Sequence, residues 1–218
     1  MIDFTLSDEQ EALRDLVREF AEKEIAPLAP ILDEEQRHSP EIVEKYFDIG
    51  FLHYAVPEEF GGAGLGTLYG CLFNEELGAA CGGVTCMLGG NTLGLTPLFI
   101  AGSHELKAEL LIPHTEGPNL AAFCLTEAGA GSDAGAMRTT AVLEGDEYII
   151  NGTKTFITNG GVASLFSVFA MEDPEQGNRG ISAFMMPTAS VLSLSTWRKR
   201  RTWGFSRIDS TRVKTSRA

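Results

Sequence analysis

The hydrophobic pattern changes period near Pro118, and this change constrains the fold more than any other feature of the 218 residues. Before it, apolar residues recur at three- and four-residue spacings; after it, short β-rich runs alternate with polar and glycine-rich turns. Helices first and strands second predict an α+β chain in two parts, divided near residue 118. Ser7-Asp8-Glu9-Gln10 is a capping box, with Ser7 as N-cap and Gln10 at N3. Leu13, Leu16, Val17, Phe20 and Ala21 continue that helix until Pro27. Ser39-Pro40 opens a second helix with the stripe Ile42, Val43, Tyr46 and Phe47 and Gly50 at its C′ position. Another is expected from about Thr67 to Gly78, and Ser103 opens a short one ending at Pro113. The expected strands are residues 120–125, 139–143, 148–150, 153–158, 165–171 and 181–186, with Glu144-Gly145-Asp146-Glu147 as a hairpin turn.

From Leu77 through Ser103 no side chain is charged, which is long enough to raise a membrane span. Gly82, Gly83, Gly89, Gly90, Asn91, Gly94 and Pro97 interrupt the run. The better account is a buried helix whose small residues let a backbone or ligand approach closely. The formal net charge is −13. Charge is unevenly spread: residues 198–218 hold eight Lys or Arg against Asp209, and the rest holds nine against 29 acids. An acidic body repels phosphates, which argues against nucleic acid as a partner. The basic run with Trp197 and Trp203 is expected to be an unstructured end.

Cys71, Cys81, Cys86 and Cys124 form no CxxC pair or disulfide framework, and the four histidines have no ligand spacing, so no metal site is expected. The start, with three acids in ten residues and no apolar core, reads as neither signal nor transit peptide, and a cytoplasmic location is expected. Glu58-Glu59-Phe60-Gly61-Gly62-Ala63-Gly64-Leu65-Gly66 looks like a phosphate loop, but Thr67 stands where the third glycine belongs and no strand precedes it. It reads as a tight loop between helices. No Gly-x-Ser-x-Gly elbow exists.

Two stretches carry chemistry. Phe123-Cys124-Leu125-Thr126-Glu127-Ala128-Gly129-Ala130-Gly131-Ser132-Asp133 ends a strand in a glycine-rich turn that can aim backbone N–H groups and the Thr126 and Ser132 hydroxyls at an anionic or carbonyl-rich ligand. Thr153-Lys154-Thr155-Phe156-Ile157-Thr158-Asn159-Gly160-Gly161 reads as a strand with Phe156 and Thr158 on one face, able to stack on and hydrogen-bond a flat heterocycle. As patterns alone, a glycine-rich hairpin and a threonine-rich strand explain both.

Taken in order, these segments resemble the acyl-CoA dehydrogenase family. The similar pieces are the capped acidic first helix, Val56-Pro57-Glu58-Glu59-Phe60-Gly61-Gly62, residues 125–133, Tyr148-Ile149-Ile150-Asn151-Gly152-Thr153-Lys154, Phe156-Ile157-Thr158-Asn159-Gly160, and Arg179-Gly180-Ile181-Ser182-Ala183-Phe184. They span residues 1–188. Phe156 and residues 177–181 are similar to short-chain members and to flavin-dependent enoyl-CoA reductases. The resemblance implies an N-terminal helical domain over residues 1–118 and a middle β-barrel-like domain over 119–188. A C-terminal helical bundle follows in the family. It implies FAD as cofactor, bound through Phe123, Cys124, Leu125, Thr126, Gly131, Ser132, Phe156, Ile157 and Thr158, with Ser132 also approaching the acyl-CoA. The implied reaction is α,β-desaturation of an acyl-CoA thioester, as in fatty-acid β-oxidation, with hydride passing to the flavin. Electrons then go to an electron-transfer flavoprotein, and full-length relatives are tetramers.

The chain departs from that pattern after Thr188. The family's bundle, which holds the catalytic Glu in short- and medium-chain relatives, has no counterpart here, so no residue inherits the role of base. Residues 189–218 read as a basic tail outside the family pattern and suggest a change of reading frame. The isolated chain is expected to bind FAD weakly or not at all. The alternatives are a non-catalytic fragment that holds acyl-CoA or a nucleotide, and an enoyl-CoA reductase of the same family.

Overall fold

The computed structural model describes residues 5–188 and the backbone of residues 205–214. Packing divides the chain into two compact units, Met1–Gly89 and Gly90–Ala218.

The first unit is helical. Its helices are α1 (Asp8–Phe20), α2 (Ala29–Glu35), α3 (Pro40–Asp48) and α4 (Thr67–Ala80), and it takes in the start of α5 (Gly82–Ala101). The capping box forms as read: the Gln10 amide donates to Ser7 Oγ and the Ser7 amide to Gln10 Oε1. The apolar stripes meet in an aromatic core. The Phe20 and Tyr46 rings lie 5.4 Å apart and those of Phe51 and Phe73 4.9 Å apart. Arg18 crosses from α1 to α4 and grips the buried Glu76 carboxylate with two N–H groups, at 2.9 and 2.7 Å. The glycine-rich segment after Pro57 is a tight loop. A Cβ on Gly62 would lie 2.1 Å from the Val56 carbonyl oxygen.

The second unit holds the rest of α5, α6 (His104–Thr115) and six strands: β1 (Ala121–Cys124), β2 (Thr140–Glu144), β3 (Glu147–Thr155), β4 (Leu165–Met171), β5 (Ile181–Pro187) and β6 (Phe205–Lys214). The mixed sheet runs β1-β4-β2-β3-β6, with β5 also paired to β4. β1 and β4 are parallel, from Ala121↔Leu165 to Cys124↔Val168, while β2 and β3 form the expected hairpin around Gly145, whose φ of 68° suits glycine. Ala122, Cys124, Ala141, Tyr148, Ile150, Phe166, Val168 and Met186 of these strands join one buried core cluster.

Three observations stand beside the expectations. First, the compact units part inside α5, because long-range contacts tie the second half of that helix to the sheet; this division by packing is separate from the domain division expected near Pro118. Gly94 meets the backbone of β1 so closely that a Cβ there would lie 2.7 Å from the Ala122 nitrogen. Asn91 is fully buried, and its Oδ1 accepts from the Ala121 amide at 2.9 Å and pairs with His114 Nε2 at 3.1 Å. Second, residues 148–150 and 153–155 belong to one strand, which stops at Thr155 because Phe156 turns to a φ of 58°. Third, residues 205–214, just after the basic run between Trp197 and Trp203, pair with β3, from Thr155↔Phe205 to Glu147↔Lys214. The open edge of β3 offers a ladder of backbone donors and acceptors, which recruits a strand whatever its side-chain charge. The remaining residues 189–204 and 215–218 lie outside the described residues. Among the described residues, α5 is the helix long and apolar enough to cross a membrane. Its Val84, Leu88, Asn91, Leu95 and Leu98 are buried within the protein.

Candidate functional site

The candidate residues sit at the ends of two strands of the second unit. β1 delivers Phe123 half-buried, its ring 4.9 Å from that of Phe169. The Cys124 side chain joins the hydrophobic core, where burial pushes its thiol up to about 12, with Lys154 opposing; it is no nucleophile at neutral pH. Leu125 and Thr126 are half-buried, and the chain then closes a tight turn. The Glu127 amide donates to the Ala130 carbonyl at 2.9 Å and the Ala130 amide returns to the Glu127 carbonyl at 3.1 Å. Ala128, Gly129, Gly131, Ser132 and Asp133 are left exposed, with open space around both glycines. The result is an exposed loop with accessible backbone, which carries Ser132 and follows the half-buried Thr126.

β3 ends beside it. The Thr155 amide donates to the Thr126 carbonyl at 2.8 Å, which brings the root of the second candidate segment to the root of the first. Phe156 follows, 66% exposed and in the left-handed region that a bulky aromatic rarely occupies. Ile157 returns to the core and Thr158 is exposed. Phe156 and Thr158 therefore do not share a strand face as alternation predicts. A turn presents them, pinned beyond by Asn159 (φ 64°), whose Nδ2 donates to the Ala121 carbonyl at 3.2 Å. α5 lies against this turn, since a Cβ on Gly90 would come within 2.9 Å of Thr158 Cγ2. Cys124 and Ile157 spend their side chains on the core, which leaves only their main chain to meet a ligand.

The loop's root holds a feature that the sequence reading missed. Lys154 points into the protein with no exposed surface, and Nζ donates to Glu127 Oε1 at 2.9 Å and to the Leu125 carbonyl at 3.0 Å. The Glu127 carboxylate also accepts from the Arg138 amide (2.7 Å), the Thr139 amide (3.0 Å) and the Thr139 hydroxyl (2.5 Å). It closes the loop from 127 to 139 at its base and satisfies two amides that would otherwise be stranded. Burial alone would raise the Glu127 carboxyl. The Thr139 hydroxyl, Lys154 and the two amides outweigh it and hold the group at about 2. For Lys154, burial pulls the ammonium below the ordinary lysine range, and Glu127 opposes that.

A pH dependence follows. The folded value of Glu127 lies below its ordinary 4.5, so its contribution to stability is complete above about pH 4.5 and disappears as pH falls through about 2. Urea unfolding at pH 5, 3.5 and 2.5 is expected to show a steeper loss for the unsubstituted chain than for Glu127→Gln. Parallel losses would show that the carboxylate is not held in this way.

Comparisons with known proteins show the family. The family model described as "Acyl-CoA dehydrogenase, N-terminal domain" matches residues 7–118, and that described as "Acyl-CoA dehydrogenase, middle domain" matches residues 122–218. The chain is 45% identical over 186 residues to the short-chain specific acyl-CoA dehydrogenase of Clostridium acetobutylicum, covering 85% of this chain and 49% of that protein. It is 40% identical over 187 residues to the acryloyl-CoA reductase (NADH) of Anaerotignum propionicum, covering 85% and 48%. A chain in the solved structure of the electron transferring flavoprotein of Acidaminococcus fermentans superposes with a TM-score of 0.89 at 37% identity, covering 98% of this chain and 58% of its own. The chain thus spans about half the length of the curated relatives it matches.

Proposed function

Because the chain belongs to the acyl-CoA dehydrogenase family, through that family's N-terminal and middle domains, we propose that it forms part of a flavin-dependent oxidoreductase acting on the Cα–Cβ bond of a short- or medium-chain acyl-CoA. The observation that carries the cofactor assignment is Phe156, an exposed aromatic ring held at positive φ, whose strand is bonded through the Thr155 amide to the root of an exposed glycine-rich loop. A dinucleotide cofactor with one flat ring and one pyrophosphate needs those two surfaces.

In this reading Phe156 and Thr158 meet the isoalloxazine ring, with Ile157 contributing main chain. Phe123, Cys124, Leu125, Thr126, Gly131 and Ser132 line the rest of the FAD, and Ser132 also approaches the acyl-CoA. Bound FAD supplies the acceptor for the hydride leaving the substrate's β-carbon. Glu127 does not serve as base for the α-proton, because its oxygens are filled by four donors and a carboxylate held at about 2 is a poor proton acceptor. The base for that step is not assigned to this chain. The likeness to the electron transferring flavoprotein structure supports an electron-transfer flavoprotein as redox partner. The likeness to an acryloyl-CoA reductase favours a second reading, in which the same site runs toward reduction of an enoyl-CoA.

FAD titration followed by quenching of flavin fluorescence tests the assignment. The chain is expected to bind FAD weakly but saturably, and Phe156→Ala to weaken binding about tenfold, or ~1.4 kcal/mol, the scale of one lost aromatic stack. Absence of saturable binding at millimolar FAD, or equal binding by Phe156→Ala, would overturn it.

A further inference from the structure

The two segments assigned to the flavin are 30 residues apart in sequence, yet one buried ion pair joins their roots. Glu127 stands one residue after Thr126, and Lys154 two before Phe156. Lys154 Nζ bonds both to Glu127 Oε1 and to the Leu125 carbonyl, and the next amide, that of Thr155, bonds to the Thr126 carbonyl. Lys154 is wholly buried and Glu127 is 8% exposed. We propose that the Glu127–Lys154 pair is a positioning device, which holds the 125–133 loop and the 156–159 turn in fixed register so that both can engage one flavin.

As a stabiliser alone the pair is a poor choice. Desolvating two charges is expensive, and apolar residues of similar size often hold a protein together equally well. What an apolar pair lacks is direction. An ammonium that must reach both a carboxylate and one carbonyl, and a carboxylate that must also meet two amides and a hydroxyl, are satisfied in a single arrangement of the strands. Phe156 needs such an arrangement. A left-handed aromatic persists only where its surroundings over-determine it. Here it is trapped between the Lys154 and Thr155 anchors on one side and the Asn159–Ala121 bond on the other. Without the first anchor the residue is free to relax to extended backbone, and the ring leaves its place beside the loop.

The proposal rests on the flavin reading only for what the two segments hold. The test uses the chain and its Glu127→Gln/Lys154→Met variant, which removes both charges and nearly keeps shape, with Glu127→Gln as the milder variant should the double one not fold. Hydrogen exchange without ligand is read at the amides of residues 127 and 130 on one side and 155 and 160 on the other, and FAD is then titrated. The expected result is at least tenfold faster exchange at both pairs of amides and at least tenfold weaker FAD binding, at a melting temperature near that of the unsubstituted chain. Unchanged exchange at either segment, or unchanged FAD affinity in a variant with faster exchange, overturns the proposal and leaves the pair a structural one. If the unsubstituted chain takes up no FAD, the flavin reading falls. The brace is then judged by exchange alone, supported by joint loosening and overturned by its absence.

Discussion

Gly94→Val is expected to disrupt the second unit, costing at least ~3 kcal/mol in urea unfolding. A Cβ at Gly94 would lie 2.7 Å from the Ala122 nitrogen and 2.8 Å from the Ala121 carbonyl carbon. Those are backbone atoms of β1, which cannot swing aside as a flexible side chain would. The helix must move instead, and three buried contacts depend on its position. Ser167 Oγ donates to the Gly94 carbonyl at 2.5 Å, and Asn91 Oδ1 accepts from the Ala121 amide and pairs with His114. Parting α5 from β1 strands these groups, each a further cost of about 1–3 kcal/mol where no water replaces the partner. Gly94→Ala should lie between, and Gly129→Ala, which meets open space, should change stability by under ~0.5 kcal/mol. Equal midpoints for all three would mean that α5 does not bear on β1.

Glu127→Ala is expected to cost about 3–5 kcal/mol, the range for breaking a buried ion pair by removing one partner. The substitution leaves the Lys154 ammonium buried against one carbonyl and takes the acceptor from the Arg138 and Thr139 amides. Glu127→Gln/Lys154→Met should recover most of that loss, because no charge remains buried. The check is a set of denaturant curves at pH 7 for the unsubstituted chain, the single variant and the double one. A double variant as unstable as Glu127→Ala would mean that the loss comes from the loop's hydrogen bonds and not from the stranded ammonium.

Much of the architecture is legible in short stretches. Ser7 and Gln10 cap α1 as their spacing requires, Gly145 makes the β2–β3 turn, and the uncharged run after Leu77 forms a helix whose small residues meet a backbone. The ordered motifs from Val56 to Phe184 point to the family that the domain comparisons also find. Each of these signals is local, a cap, a period or a motif, and depends on neighbours a few residues away.

Other features depend on partners far along the chain. Lys154 looks like any strand lysine, and nothing near it announces a carboxylate 27 positions earlier. Phe156 alternates correctly with Thr158, yet the backbone leaves the strand between Thr155 and Phe156, held on one side by the Thr155 bond to Thr126 and on the other by the Asn159 bond to Ala121 of β1. The basic segment near the end reads as charge without pattern until the edge of β3 pairs with it. Periodicity, capping and motif order by themselves determined the helices, most of the strands and the family, since these follow from short-range sterics and the burial of one face. Where the loops stand relative to each other and which charges are buried were decided only by the tertiary structure, because those outcomes turn on desolvation and backbone contact between distant segments.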